Sequence, residues 1–445
     1  MFPFNKIFGI FLIVLFVLSC GEKANPNFQK EAANSEYLHR AMYGLTEVLV
    51  HDIFGAPIAA RIYGYCNISA YEAFVPGDST RQSIVGQLNG LTNLPKPEAG
   101  LEYCYPLASI KAMLKTGRAL VFSEDKIDEL TKQILSEYKK MGIPKAVFER
   151  SVAFGDTLAG AVIAWSKKDN YAQTRSFPKY SVISDDPGRW RPTPPDYSDA
   201  LEPHWNKIRP FVLDSAAQFR PTPAPKFSKD KGSELYKLAA EVYKVVKDSG
   251  DYTLGLAKHF DDNAFATEHQ GHVMMANKKF TPGGHWLNIA ATVARNQKRN
   301  FGECAEMYML VSVGLLDGFI SCWDEKYRSN LLRPETYINE NIDPEWRPTL
   351  QTPPFPEHTS GHSVISGGSA EILTALLGDN TAFTDSTEVI FDLPTMSFSS
   401  FRDAAHKSSD SRKYGGIHYR TGVEAGLRQG TALGKYIFAT VKTRR

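Results

Sequence analysis

Three short stretches in the last third of the chain carry side chains that belong together chemically. "SRKYGGIHYRTG", residues 411–422, places Arg412 and His418 on either side of Gly415 and Gly416, with Arg420 following. The glycines allow a tight turn, so both side chains can reach one point, an arrangement suited to an anion. "DEKYRSNLLRPETY" holds Lys326 and Arg333 seven positions apart. On a helix that is two turns, so both would project from one face, and Pro334 is expected to end that helix. "TPPFPEHTSGHSVISGGSAEILTALL" leads through prolines and Thr359 into a long apolar helix. It sets the Ser360 hydroxyl, the Gly361 N–H and His362 at a helix N-terminus, a natural anion site. Singly, each stretch has an ordinary reading: a solvated basic face, an N-cap beside a packed histidine, a loop. Jointly they suit an anion, which needs several fixed cations and donors. Arginine binds oxygens bidentately, lysine adds a point charge, and a neutral imidazole can bind a metal or attack phosphorus.

Such residues need a scaffold. The chain has 445 residues, 42% apolar and 22% charged, the balance of a globular protein with a sizeable core. A formal charge of +2 gives no global argument for nucleic acid or acidic membrane as partner, so the basic chemistry is local. After Lys6, an unbroken apolar run over 7–18 ends in "VLSC". It is too short to span a bilayer but suits a signal-peptide core. "VLSC" resembles a bacterial lipobox. Residues 1–19 are therefore expected to be a signal peptide, with Cys20 lipidated and 20–34 a polar tether. The protein would be exported and lipid-anchored on the periplasmic or cell-surface side; the alternative is an ordinary secretory signal with Cys20 incidental.

Helical periodicity begins at Ser35, a plausible cap, and continues after Pro57 and over 105–122, 124–141 and 145–167. Residues 171–231 are dense in proline and aromatics, yet are expected to be ordered, since Trp190, Trp205 and Phe211 would otherwise be exposed. Helical patterns resume over 233–248, 285–297, 302–326, 361–378 and 422–442, and period-2 strands with hairpin turns are missing. The expected fold is all-α. An N-terminal helical bundle with a Pro-rich connection occupies 35–231, and a C-terminal bundle with the oxyanion site occupies 232–445. Cys66, Cys104, Cys304 and Cys322 have no CxxC spacing; buried free thiols and disulfides both remain open. His269 and His272 in "EHQGH" lack the H-E-x-x-H spacing of a metal helix. With His204, His259, His285 and His406 they are expected to be structural.

The order Lys-x6-Arg-Pro, Ser-Gly-His, Ser-Arg-x5-His resembles the signature shared by type-2 phosphatidic acid phosphatases and vanadium-dependent haloperoxidases. "RWRPTPP", "EPHWNKIRPFVL" and "TPPFPEHTSGHS" look like stretches of bacterial haloperoxidases. The resemblance implies two four-helix bundles with long ordered connections and a vanadate cofactor. It implies oxyanion ligands at Lys326, Arg333, Ser360, Gly361 and Arg412, vanadium ligation by His418, and acid–base work by His362. Hydrogen peroxide would oxidise a halide to hypohalous acid, with organic acceptors downstream, vanadium acting as a Lewis acid and Lys326 polarising the peroxide. Phe355 occupies a position that is histidine in bromoperoxidases and phenylalanine in chloroperoxidases of the family. Trp323 is a further candidate for the pocket wall, equally readable as a packed indole. The "TSGH" form and lipoprotein-type export match iodoperoxidases best, so iodide is the favoured halide.

Two departures from the phosphatase signature matter. Thr359 stands where proline precedes Ser-Gly-His, and Gly422 stands where an aspartate would orient the last histidine. Gly422 therefore disfavours the first rival, a secreted acid phosphatase using His418 as nucleophile, unless another carboxylate substitutes. The second rival, a non-catalytic oxyanion-binding lipoprotein, is disfavoured by the complete ligand set.

Overall fold

The computed structural model describes residues 25–183, 185–264, 266–276 and 278–445; Cys20 and the expected signal peptide lie outside them, as does the side chain of His269. The expected tether is partly helical. α1 (Phe28–Ala32) buries Phe28 and Ala32 in the main core. α2 (Glu36–His51) follows Ser35, whose hydroxyl makes no capping bond; the Glu36 N–H instead donates to Asn34 Oδ1 at 3.0 Å. α3 (Ala56–Phe74) has Pro57 in its first turn, where a missing N–H costs nothing. It packs on α4 (Tyr105–Arg118) and α6 (Lys145–Ser166), while α5 (Glu124–Lys140) lies against α2 and α4. After α7 (Tyr171–Thr174) comes the Pro-rich connection, ordered as expected, with Trp190, Trp205 and Phe211 fully buried.

The second half contains α8 (Glu234–Lys247), α9 (Asp251–His259), the hairpin β1 (Thr267–Gln270) and β2 (Val273–Ala276), α10 (Pro282–Asn296), α11 (Phe301–Ser329), α12 (Pro334–Asn341) and α13 (Gly361–Leu377). A second hairpin, β3 (Phe383–Asp385) and β4 (Met396–Phe398), precedes α14 (Phe401–Tyr414) and α15 (Arg420–Thr440). Both hairpins run against the expectation of no strands. They are too short for a period-2 pattern to register.

α11 joins the two bundles. Asn300 and Glu303 close a capping box at its start, and its 29 residues are apolar around most of the circumference, the mark of a buried helix. It is long and apolar enough to cross a membrane, but that stretch is wholly buried inside the protein. One face meets α3 and the other meets α13 and α15, so a single core runs through both bundles. Asp317 on α11 also anchors the Pro-rich connection, accepting from the N–H groups of Phe211, Val212 and Leu213 at 2.6, 2.8 and 3.1 Å.

Two details of backbone position the site. α11 ends at Ser329, where Asn330 turns left-handed (φ 49°) and an asparagine tolerates it. Pro334 therefore does not end that helix; it opens α12, with Arg333 as N-cap. Lys326 and Arg333 do not share a helical face, and a loop carries the arginine back to the lysine. The second detail is the close packing of α13 on α15. A Cβ at Gly430 would sit 2.0 Å from the Val364 carbonyl oxygen. That approach sets the start of α15 beside the start of α13, where the Ser360 N–H donates to the Gly422 carbonyl at 3.0 Å.

Candidate oxyanion site

The irregular segment 353–360 is a strap against which the cationic side chains are aligned. Its carbonyls accept from them: Phe355 O from Arg333 Nε at 2.8 Å, and Pro356 O and Glu357 O from Lys326 Nζ at 2.9 and 3.1 Å. Its one buried carboxylate reaches the last motif. Glu357 Oε1 accepts from His418 Nδ1 at 2.8 Å and from the Tyr419 N–H at 3.0 Å. On the other side of the imidazole, Arg333 Nη1 lies 3.0 Å from His418 Nε2 and donates to Ile417 O at 2.8 Å. Arg412, in the last turn of α14, donates from Nε to Ser411 Oγ at 3.0 Å and from Nη2 to Ala257 O at 3.3 Å. Ser360 caps α13, its Oγ accepting from the Ser363 N–H at 3.3 Å. The Gly361 N–H is in the first turn and has no helical acceptor.

Gly361, His362, Arg412 and His418 line one cavity. Phe319, Trp323, Phe355 and Ile417 make the wall largely apolar. Both readings of Trp323 hold at once. It lines the cavity, and it is a packed indole, donating from Nε1 to Leu201 O at 3.1 Å with its ring 4.9 Å from that of Phe355. Lys326, Arg333 and Ser360 are fully buried. Lys326 Nζ and Arg333 Cζ lie 4.8 and 4.9 Å from the centre of the Phe355 ring. Lys326 and Arg333 thus reach the cavity through the Phe355 ring and are not themselves in its lining, and Ser360 is buried next to Gly361.

The electrostatics are those of a positive pocket short of negative charge. Burial pulls Lys326 down to about 7 and Arg333 down to about 10, and lowers Arg412. Burial and the charges of Arg333, Lys326 and Arg412 hold His418 well below its ordinary value, so its ring is neutral. The neutral ring donates from Nδ1 to Glu357 and accepts at Nε2 from Arg333 Nη1. Among the described residues, none of Lys326, Arg333 and Arg412 forms a salt bridge, and Arg333 Nη2 is buried with no partner. Buried donors in this state call for acceptors. A tetrahedral oxyanion such as vanadate or phosphate supplies them with matching charge, so the residues present fit that group.

Two functional residues escaped the sequence reading. The first is Glu357. It provides the carboxylate that Gly422 was expected to remove, so the argument from Gly422 against His418 as a supported nucleophile falls. The second is Asp262, whose Oδ2 lies 3.5 Å from His362 Nε2. Burial lowers His362 to about 4, chiefly against the opposing pull of Asp262, so it too is neutral. Asp262 belongs to a wider buried set in which His285 bridges Asp262 Oδ1 (2.8 Å) and Asp385 Oδ2 (2.6 Å), and His259 Nε2 meets the same Asp385 oxygen at 2.9 Å. His259 and His285 were expected to be structural, and they are pairing partners of carboxylates. His204 bonds the Pro178 carbonyl at 2.7 Å, and His272 and His406 are exposed. The four cysteines are buried free thiols, with Cys104 and Cys304 pushed up to about 12 by burial.

The chain is similar to known proteins over most of its length. A family model, the VCPO second helical-bundle domain, matches residues 306–445. A solved structure titled as the first bacterial vanadium-dependent iodoperoxidase is 45% identical over 92% of this chain and 97% of its own, with a TM-score of 0.87. A holo-type bacterial vanadium-dependent chloroperoxidase shares the fold at 16% identity, over 94% of this chain and 98% of its own, with a TM-score of 0.69. No curated protein matches the chain.

Proposed function

The chain belongs to the vanadium-dependent haloperoxidases, and from that premise we infer that it oxidises halide, with iodide preferred, using hydrogen peroxide and a vanadate held by the pocket just described. The observation that carries the reading is 45% identity to an iodoperoxidase across 92% of the chain. Arg333, Arg412 and Lys326 would neutralise the oxyanion, with the Ser360 and Gly361 end of α13 completing its cradle. His418 would present its Nε2 lone pair to vanadium, fixed in that tautomer by Glu357. Vanadate, when bound, supplies a Lewis acid that keeps its oxidation state while peroxide oxidises the halide. His362, neutral near pH 7 with Asp262 beside it, would take a proton from hydrogen peroxide and return it. Lys326 adds positive charge beside that site. Phe355, Trp323 and Phe319 keep the wall apolar, which suits a large, weakly hydrated halide better than a strongly hydrated one. Iodide is also the halide most easily oxidised.

One observation favours a second reading for the vanadate-free protein. His418 has its carboxylate after all, so the pocket holds what a phosphomonoesterase needs: a supported imidazole nucleophile, a cationic cradle and an acid–base histidine. The test assays wild-type protein twice, with p-nitrophenyl phosphate alone, and with iodide, peroxide and orthovanadate. Iodide oxidation far above the vanadate-only background supports the haloperoxidase. Rapid ester turnover with iodide oxidation at background replaces it with the phosphatase.

Localisation rests on the sequence alone. Export with a diacylated Cys20 is supported by the short apolar run ending in "VLSC". Intact mass of membrane-extracted protein should show the lipid on Cys20; an unmodified N-terminus elsewhere excludes it.

A further inference from the structure

Glu357 and Gly422 are far apart in sequence and share one small volume. A Cβ built on Gly422 would lie 2.2 Å from Glu357 Oε1 and 2.8 Å from its Cδ, so a side chain there would force the carboxylate to move. The same Oε1 accepts from His418 Nδ1 at 2.8 Å and from the Tyr419 N–H at 3.0 Å. Glu357 is fully buried, and its Oε2 has no hydrogen-bond partner, with His358 Nδ1 3.9 Å away. A buried carboxylate with an unused oxygen is costly. It persists where it does something the neighbouring groups need. Its backbone is committed as well. The Glu357 N–H donates to Leu331 O at 2.9 Å, and its carbonyl receives Lys326 Nζ at 3.1 Å. One residue thus touches the lysine through its main chain and the histidine through its side chain.

We propose that Glu357 is the positioning residue of His418, and that it does from the strap what a carboxylate at position 422 would otherwise do from the first turn of α15. The two positions form an exchange pair: either one carries the acid and the other must be small. The role follows from the hydrogen bond. An imidazole that gives its Nδ1 proton to Glu357 has its lone pair on Nε2, the nitrogen facing the oxyanion site, and its ring plane is held. This proposal rests on the reading of His418 as an oxyanion-site ligand.

The experiment uses the vanadate-free full chain and orthovanadate as the titrant, followed calorimetrically, with nitrogen-15 NMR of the His418 ring before vanadate is added. Glu357→Ala is expected to weaken vanadate binding about ten- to a hundredfold, the range for losing a partner behind a metal-ligating histidine. It should also move His418 from a pure Nδ1–H tautomer to a mixture. The double variant Glu357→Ala/Gly422→Asp is expected to restore both the tautomer and most of the affinity, which a merely structural anchor would not do. Wild-type affinity and an unchanged tautomer in folded Glu357→Ala overturn the proposal. If Glu357→Ala does not fold, the double variant decides: a folded protein that binds vanadate supports the exchange, and one that is unfolded or does not bind refutes it. His418→Ala separates the two levels. If it binds vanadate normally, the ligand reading itself has failed; if it loses binding while folded Glu357→Ala keeps it, only the exchange pair has.

Discussion

Two buried charge clusters lie side by side in this protein, and they are built on opposite plans. In one, Lys326, Arg333, Arg412 and His418 crowd together with Glu357 as their acidic neighbour, and Arg333 keeps a buried donor without a partner. In the other, His285 is clasped between Asp262 and Asp385, and His259 pairs with Asp385 again. Burial alone would discharge His285, yet the two aspartates hold it well above its ordinary value, while burial and its neighbours' charges bring the cations of the first cluster down. Equal burial therefore has two outcomes. Where the protein supplies the counter-ion, the charge is structural; where it does not, the charge waits for a ligand. His362 stands at the seam, in the wall of the first cluster and 3.5 Å from Asp262 of the second.

That contrast can be broken most sharply at its two centres. His418→Ala removes the proposed ligand, and iodide oxidation should fall to the vanadate-only background in a peroxide assay. Retained turnover would place the ligand elsewhere. Asp385→Ala removes one partner of a buried ion pair and should cost ~3–5 kcal/mol of stability in urea unfolding. A cost under ~1 kcal/mol would mean that the second cluster is not held by its pairing. Arg333→Met is the mirror experiment. It replaces a buried cation that has no salt-bridge partner among the described residues by an apolar side chain of similar length, so stability should hold or rise. Vanadate affinity should drop by ~1.5–3 kcal/mol, the range for hydrogen bonds to charged groups. Loss of stability with unchanged affinity would reverse the assignment of this cluster to a ligand.

The same contrast explains what could be read from the chain. The cationic cluster was legible because an oxyanion dictates residue types, and three local stretches supply them at recognisable spacings. The paired cluster was not, since His285 meets Asp385 across one hundred positions and no local pattern encodes that meeting. Glu357 sits inside a quoted motif and was still overlooked, because its partner lies 61 residues on; Gly422 was the available signal, read as a loss when it marks a space already filled. The helical bundles were visible in the periodicity. The end of α11 was not: the seven-residue interval between Lys326 and Arg333 mimics a helical face, while the left-handed Asn330 breaks the helix between them. The hairpin that delivers Asp385 has strands of three residues, below what alternation can show.

A pH-dependent test probes the second cluster at Glu388. Glu388 is buried beside His285, with Oε1 3.6 Å from Nδ1 and no hydrogen-bond partner for that oxygen. Burial, with Asp262 and Asp385 adding to it against the pull of His285, pushes its carboxyl up to about 8. A carboxyl whose folded value lies above its unfolded value, about 4.3, binds its proton more tightly in the native state. The native state is then favoured at low pH, and stability is lost as pH rises from about 4.3 through about 8, where the group must ionise in a place that resists it. Glu388→Gln copies the protonated acid at every pH. Below pH ~4 it should match wild type, and its advantage in urea unfolding should grow steadily toward pH ~8 and then level off. A pH-independent difference would mean that Glu388 does not titrate in that window. An advantage that shrinks with rising pH would mean that the ionised form has a partner here, which would make this cluster, like the pocket beside it, a place prepared for a ligand, in this case a cation.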